Sequence, residues 1–118
     1  MSDKDIEQEI QAKGLTAPRV TPQHIEDTIL ECHYFTAGEA ARVGWPDLTA
    51  ADPIHKNLDL LTFCVLVLRN GFTVTGESAC ASPENFDAKI GRKIARENAV
   101  NKIWMLEGYL LKQKLSEQ

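Results

Sequence analysis

Four cations of the C-terminal segment, Lys89, Arg92, Lys93 and Arg96, recur at spacings of one, three and four residues. On a helix they share one stripe, with Lys89 beside Lys93 and Arg92 beside Arg96. Guanidinium forks match the paired oxygens of a phosphate, so the stripe reads either as a phosphate cradle or as a solvated face offset by Glu97 and Glu107. Asn98 and Asn101 fall near Ile90, Ile94 and Met105 on the same helical wheel, the apolar half. A buried amide needs partners, so these two either bond the backbone of a neighbouring hairpin or loop, or read a base edge or ribose hydroxyl. Phe86, Phe72 and Trp104 offer stacking surfaces or plain core. Arg19, between Pro18 and Val20, pairs with Glu26 or Asp27 or reaches an anion.

Catalytic chemistry finds less support. His24, His33 and His55 have no serine or carboxylate spacing that composes a triad, and Cys32 next to His33 is poor geometry for a base activating its neighbour. No Gly-rich phosphate loop and no carboxylate pair stands out. The three cysteines, Cys32, Cys64 and Cys80, show no CxxC or Cys/His spacing, which predicts free thiols, no zinc and no other cofactor. A binder rather than an enzyme is expected.

The chain around these residues has 118 positions, 43% hydrophobic and 25% charged, the balance of one ordinary domain with one core. No apolar run approaches the roughly 20 residues that span a bilayer, and the start MSDKDIEQEI is too acidic for a signal peptide, so a cytoplasmic location is expected. The net charge of −4 is unevenly spread: residues 1–82 carry 6 basic and 12 acidic groups, residues 83–118 carry 7 and 5. This disfavours duplex nucleic acid as a partner and allows a local anion site.

The elements that must hold these residues read as an α+β domain in four stretches. Residues 1–20 form an amphipathic helix over 3–13, with Asp3 as candidate N-cap and Gly14 as stop, then a linker. In 21–57, Thr21 caps a helix with Pro22 in its first position and Ile25, Ile29 and Leu30 buried; an irregular excursion follows from Cys32 to Asn57, with one helical turn near 39–43 and Trp45 as an anchor or a ligand contact. Residues 58–81 form a β-hairpin about Asn70-Gly71, the dipeptide suited to a two-residue type I′ turn. Pairing Arg69 with Phe72 puts Leu61, Phe63, Val65 and Val67 on one face with Phe72 and Val74, and Cys64, Leu66 and Leu68 on the other with Thr73, Thr75 and Glu77. Cys64 and Cys80 then face opposite ways, which argues against a bond between them. Two strands rarely suffice alone, so something lies on both faces, a second subunit being a natural candidate.

Residues 82–118 predict a long helix from Pro83 to Leu115, weakest at Gly91 and Gly108. Phe86, Ile90, Ile94, Trp104 and Leu111 share one side; Ala88, Ala95, Ala99, Ile103, Leu106 and Leu110 form a second. One covers the hairpin, and the Ala-rich one suits close approach of another helix.

The blocks NGFTVTGES and ENFDAKIGRKIARENA, within LLTFCVLVLRNGFTVTGESACASPENFDAKIGRKIARENAVNKIWMLEGYLL and with APRVTPQHIED and FTAGEAA upstream, closely resemble a family of small tailed-phage proteins. The family is named after gene forty-nine of one short-tailed phage and gene sixty-six of another, and the resemblance covers roughly residues 17–111. It implies a phage or prophage origin. One branch with a similar hairpin and long helix contains the Thoeris anti-defence sponges, which bind cyclic ADP-ribose isomers made by TIR-domain immunity and, in some members, cyclic oligonucleotides. The resemblance implies a non-enzymatic homo-oligomer, a dimer or hexamer, acting in the host bacterial cytoplasm. The resulting expectation is sequestration of a cyclic nucleotide at a subunit interface, with Arg19, Arg92 and Arg96 on phosphates and Phe86 and Asn98 on base or ribose. The alternative is a phage accessory protein that inhibits or recruits a host protein.

Overall fold

The computed structural model describes residues 2–44 and 53–118, with side chains left out at 53–55. Trp45, the anchor expected in the excursion, lies outside the described residues, as does the side chain of His55. The fold is α+β: a three-stranded antiparallel sheet, short N-terminal helices and one long C-terminal helix. The elements are helix α1 (Asp3–Ala12), helix α2 (Pro22–Thr28), strand β1 (Ile29–Thr36), helix α3 (Ala37–Gly44), helix α4 (Pro53–Leu58), strands β2 (Leu61–Leu68) and β3 (Thr73–Ala79), and helix α5 (Ala88–Ser116). A single 3-10 turn, Pro83–Asn85, precedes α5.

The cap of α1 is Ser2 rather than Asp3, its hydroxyl accepting from Asp5 N while the Asp5 carboxylate takes Ser2 N. This reciprocal pair satisfies two orphan donors at once, which a cap at Asp3 would not. Thr21 caps α2 as its sequence predicts, with Pro22 leading and Ile25 buried. The helix stops at Thr28, however. Ile29 and Leu30 belong to β1, which runs on through Cys32 and Thr36 into the stretch expected to be irregular. Alternation in β1 is blurred by a bulge at Leu30, where the register against β2 slips between Ile29 and Glu31. A strand whose pattern is broken this way does not announce itself by period. The helical turn near 39–43 is present and longer than expected, as α3.

β2 and β3 form the predicted hairpin with a different turn. Leu68 N donates to Phe72 O and Gly71 N to Leu68 O, both at 2.8 Å, so the loop has three residues, 69–71. Only Gly71 takes a positive φ, +89°, where a type I′ turn would need one at Asn70 as well. The Asn70 side chain accepts from Phe72 N at 2.9 Å and holds the bend. One extra loop residue shifts every partner by one: Leu66 faces Val74 and Cys64 faces Gly76, while Val65 and Val67 face Thr75 and Thr73. The expected face assignment of β3 is therefore inverted. The shift also removes the stated reason for keeping Cys64 from Cys80, yet all three cysteines are free. Cys64 lies opposite Gly76, well along the strand from Cys80, whose thiol donates to Ser82 O at 3.2 Å.

The core lies between the sheet and α5. Cys64, Leu66, Leu68 and Val74 meet Ala95, Ala99, Val100 and Ile103, with Ile25 of α2 closing one side. α5 begins at Ala88 rather than Pro83, because Asp87 supplies the side-chain cap, accepting from Ile90 N at 3.0 Å. It continues unbroken through Gly91 and Gly108. The Ala-rich face covers the sheet, and the face of Ile90 and Ile94 is left outside. The reason is the closeness of the packing: a Cβ on Gly76 would stand 2.1 Å from Ala95 O and 2.4 Å from Ala99 N. Only small side chains on α5 permit that approach.

Candidate functional site

An open cleft of about 1080 Å³ lies where α1 and α2 meet the middle of α5. Its floor includes Ile25 and Val100, and its walls carry Lys4, Arg19, Lys93 and Arg96 together with Asp3, Glu7, Glu26 and Glu97. The fold thus brings together Arg19 and Arg96, 77 positions apart in the chain. Arg19 follows the turn after α1, held by Pro18 ahead of the α2 cap, and Arg96 projects from the flank of α5 toward α2.

Each arginine grips a carboxylate with both terminal nitrogens. Arg19 bonds both oxygens of Glu7, one of them from Nη2 at 2.9 Å. Arg96 bonds both oxygens of Glu26, at 3.2 and 2.9 Å. The pairing expected for Arg19, with Glu26 or Asp27, is not formed: Glu26 belongs to Arg96, and the Asp27 carboxylate accepts from Gln23. The fork of Arg19, aided by Gln11, holds the Glu7 carboxyl below its ordinary value, and Glu7 in turn raises the Arg19 guanidinium. Hydrogen bonding to Glu26 raises Arg96 in the same sense. Both arginines stay charged, and each already shows the two-pronged geometry that an oxyanion accepts.

Of the other residues singled out from sequence, Lys93 and Asn101 also line the cleft and the rest sit elsewhere. Arg92 lies over the Tyr34 ring, 5.8 Å from its centroid, rather than in the cleft. Asn98 and Asn101 are exposed, not buried: Asn98 stands at the margin of the sheet contact and Asn101 at the rim of the cleft. The Asn98 amide donates to Glu77 O of β3 at 2.8 Å, one of the two readings its sequence allowed. Phe86 is half-buried ahead of α5, and Phe72 stands exposed at the hairpin tip. Sequence reasoning passed over Lys4 and Glu7 as cleft walls, whereas Lys93 stood in the basic stripe; the capping pattern that places α1 was readable, but its docking was not.

A second polar anchor ties α1 down. Trp104 Nε1 donates to Asp3 Oδ2 at 3.1 Å, and His24 of α2 contacts Glu107 at 3.0 Å. No residue of α1 is buried. On the sheet, Cys32 Sγ and Cys64 Sγ approach to 3.7 Å. Burial, then the contact with Cys32, pushes the Cys64 thiol up to about 12, and burial raises Tyr34 to about 12 as well. Such a thiol is not a nucleophile at neutral pH. Among the described residues no group of three or more His, Cys, Asp or Glu is placed to hold a metal ion, and no helix is long and apolar enough to cross a membrane.

The sequence profile of the Phage protein (N4 Gp49/phage Sf6 gene 66) family matches residues 20–115. The chain belongs to this family. The match begins at Val20, so it covers α2 through α5 and leaves α1 and Arg19 outside. The α1 wall of the cleft thus lies outside the matched residues and the Arg96 wall inside them. No curated protein and no solved structure matches the chain.

Proposed function

We propose that this member of the phage family is a non-enzymatic counter-defence protein that binds and sequesters a cyclic nucleotide immune signal, a cyclic ADP-ribose isomer or a cyclic oligonucleotide. The observation that carries the reading is the pair of arginine forks in one cleft, each already holding an oxyanion. Phosphate oxygens compete for the same geometry, with Glu7 and Glu26 as the groups they displace. The cleft is at the upper end of the few hundred to roughly 1,000 Å³ of small-molecule sites, room enough for a cyclic nucleotide. Of the five residues expected to bind, Arg19 and Arg96 keep their phosphate role here. Arg92, Phe86 and Asn98 are assigned none in this cleft. Sequestration asks only for tight stoichiometric binding, so no turnover machinery is required.

Native mass spectrometry with a panel of cyclic ADP-ribose isomers and cyclic di- and trinucleotides tests this reading. An intact cyclic nucleotide retained in the protein is the expected result. Arg19→Ala and Arg96→Ala should each weaken its binding about tenfold or more, the worth of one charge-assisted contact. Glu7→Gln should tighten it by releasing a fork. Retention of no member of the panel overturns the reading and turns the search to a host protein partner captured from infected cells.

A further inference from the structure

Helix α1 is held to the molecule by polar contacts. None of its residues is buried, and the core includes nothing before Val20. Among the described residues, two side-chain ties reach beyond the helix and its caps: Glu7 to the fork of Arg19, and Asp3 to Trp104 Nε1 at 3.1 Å. The other side-chain bonds of this segment, Ser2 with Asp5, Gln11 with Glu7 and Lys13 with Glu9, stay within it. A helix of 10 residues with no buried face is marginal in water on its own, so its docking depends on the two ties.

The helix is also acidic. Residues 2–14 carry Asp3, Asp5, Glu7 and Glu9 against Lys4 and Lys13, and they lie across the cleft from Lys93 and Arg96 of α5, with Glu97 beside these. The two forks of the cleft differ in how their carboxylates are held. The Glu26 side chain is 51% exposed and can swing away from Arg96 into solvent. The Glu7 side chain is only 16% exposed and is carried on a helix. A phosphate that takes both terminal nitrogens of Arg19 must drive Glu7 out of an enclosed position, and one left beside Glu7 would meet its negative charge. Displacing Glu7 removes one of the two ties of α1.

We infer that α1 is an autoinhibitory strap: Glu7 stands on Arg19 as an internal substitute for a phosphate, and an anion that takes Arg19 undocks the helix. The inference rests on the cleft being the anion site of the proposed function, and it adds how that site is regulated. While the strap is docked, the apparent affinity for an anion is reduced by the fraction of molecules in which Arg19 is free. Arg19 thus serves two states, closing the strap in one and holding the ligand in the other. The core is complete without α1, so its release leaves the sheet and α5 packed as before. Released, a helix of this length frays, which makes its backbone amides the reporter of the switch.

The test is hydrogen exchange of the full chain, read on peptides of α1 and β2, with inorganic tripolyphosphate as the competing anion. Glu7→Ala is measured first and without any anion. Alanine favours helix over glutamate, so a fall in α1 protection reports the lost tie rather than a weaker helix; it should be about tenfold, with β2 unchanged. In wild type, saturating tripolyphosphate should lower α1 protection in the same way. Calorimetry should show Glu7→Ala binding tripolyphosphate about tenfold more tightly than wild type, since one charge-assisted contact no longer has to be displaced. A tie that is merely structural would not move that affinity. The strap is overturned by a wild-type α1 with no protection to lose, by α1 that stays protected in Glu7→Ala or with tripolyphosphate bound, by equal affinities of the two proteins, or by binding to neither. If α1 is released by tripolyphosphate but no cyclic nucleotide is retained, the sequestration reading fails and the strap stands.

Discussion

The sheet–α5 interface and the α1–α2 cleft are joined by the same helix and are built on opposite physics. On the sheet side α5 contributes Gly91, Ala95, Ala99 and Ile103, packed so closely on β2 and β3 that Gly76 has no room for a methyl group. On the cleft side it contributes Lys93, Arg96 and Trp104, and the contacts there are forks and single hydrogen bonds to Glu26 and Asp3. The first interface is non-directional and owes its strength to excluded water and contact; the second is directional, partly solvated and exchangeable. Stability belongs to one, and the ligand exchange proposed above to the other. A cleft closed by apolar packing would have to unfold locally to admit an anion, whereas a carboxylate held by an arginine needs only a competitor.

That contrast is broken most directly on the sheet side. Gly76→Val should destabilise by about 3 kcal/mol or prevent folding, since the atoms it meets are backbone and cannot turn away. Ile103→Ala, at a fully buried position, should cost about 2–5 kcal/mol. Both are read from chemical denaturation midpoints. Loss of less than about 1 kcal/mol in either would mean that the tight sheet–helix contact is not where stability resides.

Acid sharpens the contrast from the other side. Glu7 has its carboxyl depressed by Arg19, so the tie contributes fully above the ordinary glutamate value of 4.5 and is lost as pH falls through the lower folded value. Protection of the α1 amides, taken against intrinsic exchange at each pH, should therefore fall on acidification below 4.5 while that of β2 and the first half of α5 holds. Glu7→Gln should abolish the pH dependence in α1. Protection that falls in α1 and in the sheet together would show one cooperative unit instead of two regions.

The smallest effect is expected at Asn98. Replacing it with Ala removes one hydrogen bond to Glu77 O and should cost about 0.5–1.5 kcal/mol, with nucleotide binding unchanged. A variant of normal stability that has lost nucleotide would return Asn98 to the binding site and move that site across α5.

Whatever depends on near neighbours was legible in the chain. Thr21-Pro22 places the start of α2, Asn70-Gly71 places a hairpin, and an unbroken helical pattern places α5; each is a local preference of a few residues. The basic stripe likewise singled out Arg96 among its four cations, while Arg19 stood apart from it as an arginine that either pairs with a carboxylate or reaches an anion. What the chain could not disclose was settled by partners far away. Whether Asn70-Gly71 closes as two residues or three was decided by which face of β3 must meet α5, because Gly76 fits against Ala95 and Ala99 and a side chain would not. β1 exists because β2 offers it a ladder, across a bulge that hides its period. Arg19 finds Glu7 and Arg96 finds Glu26 only after α1 and α2 dock on α5, and charge pairs over such distances carry no periodic trace in the sequence. Local propensity is written residue by residue; register, face and ion pairing are the outcome of a competition among surfaces, and only the assembled core decides it.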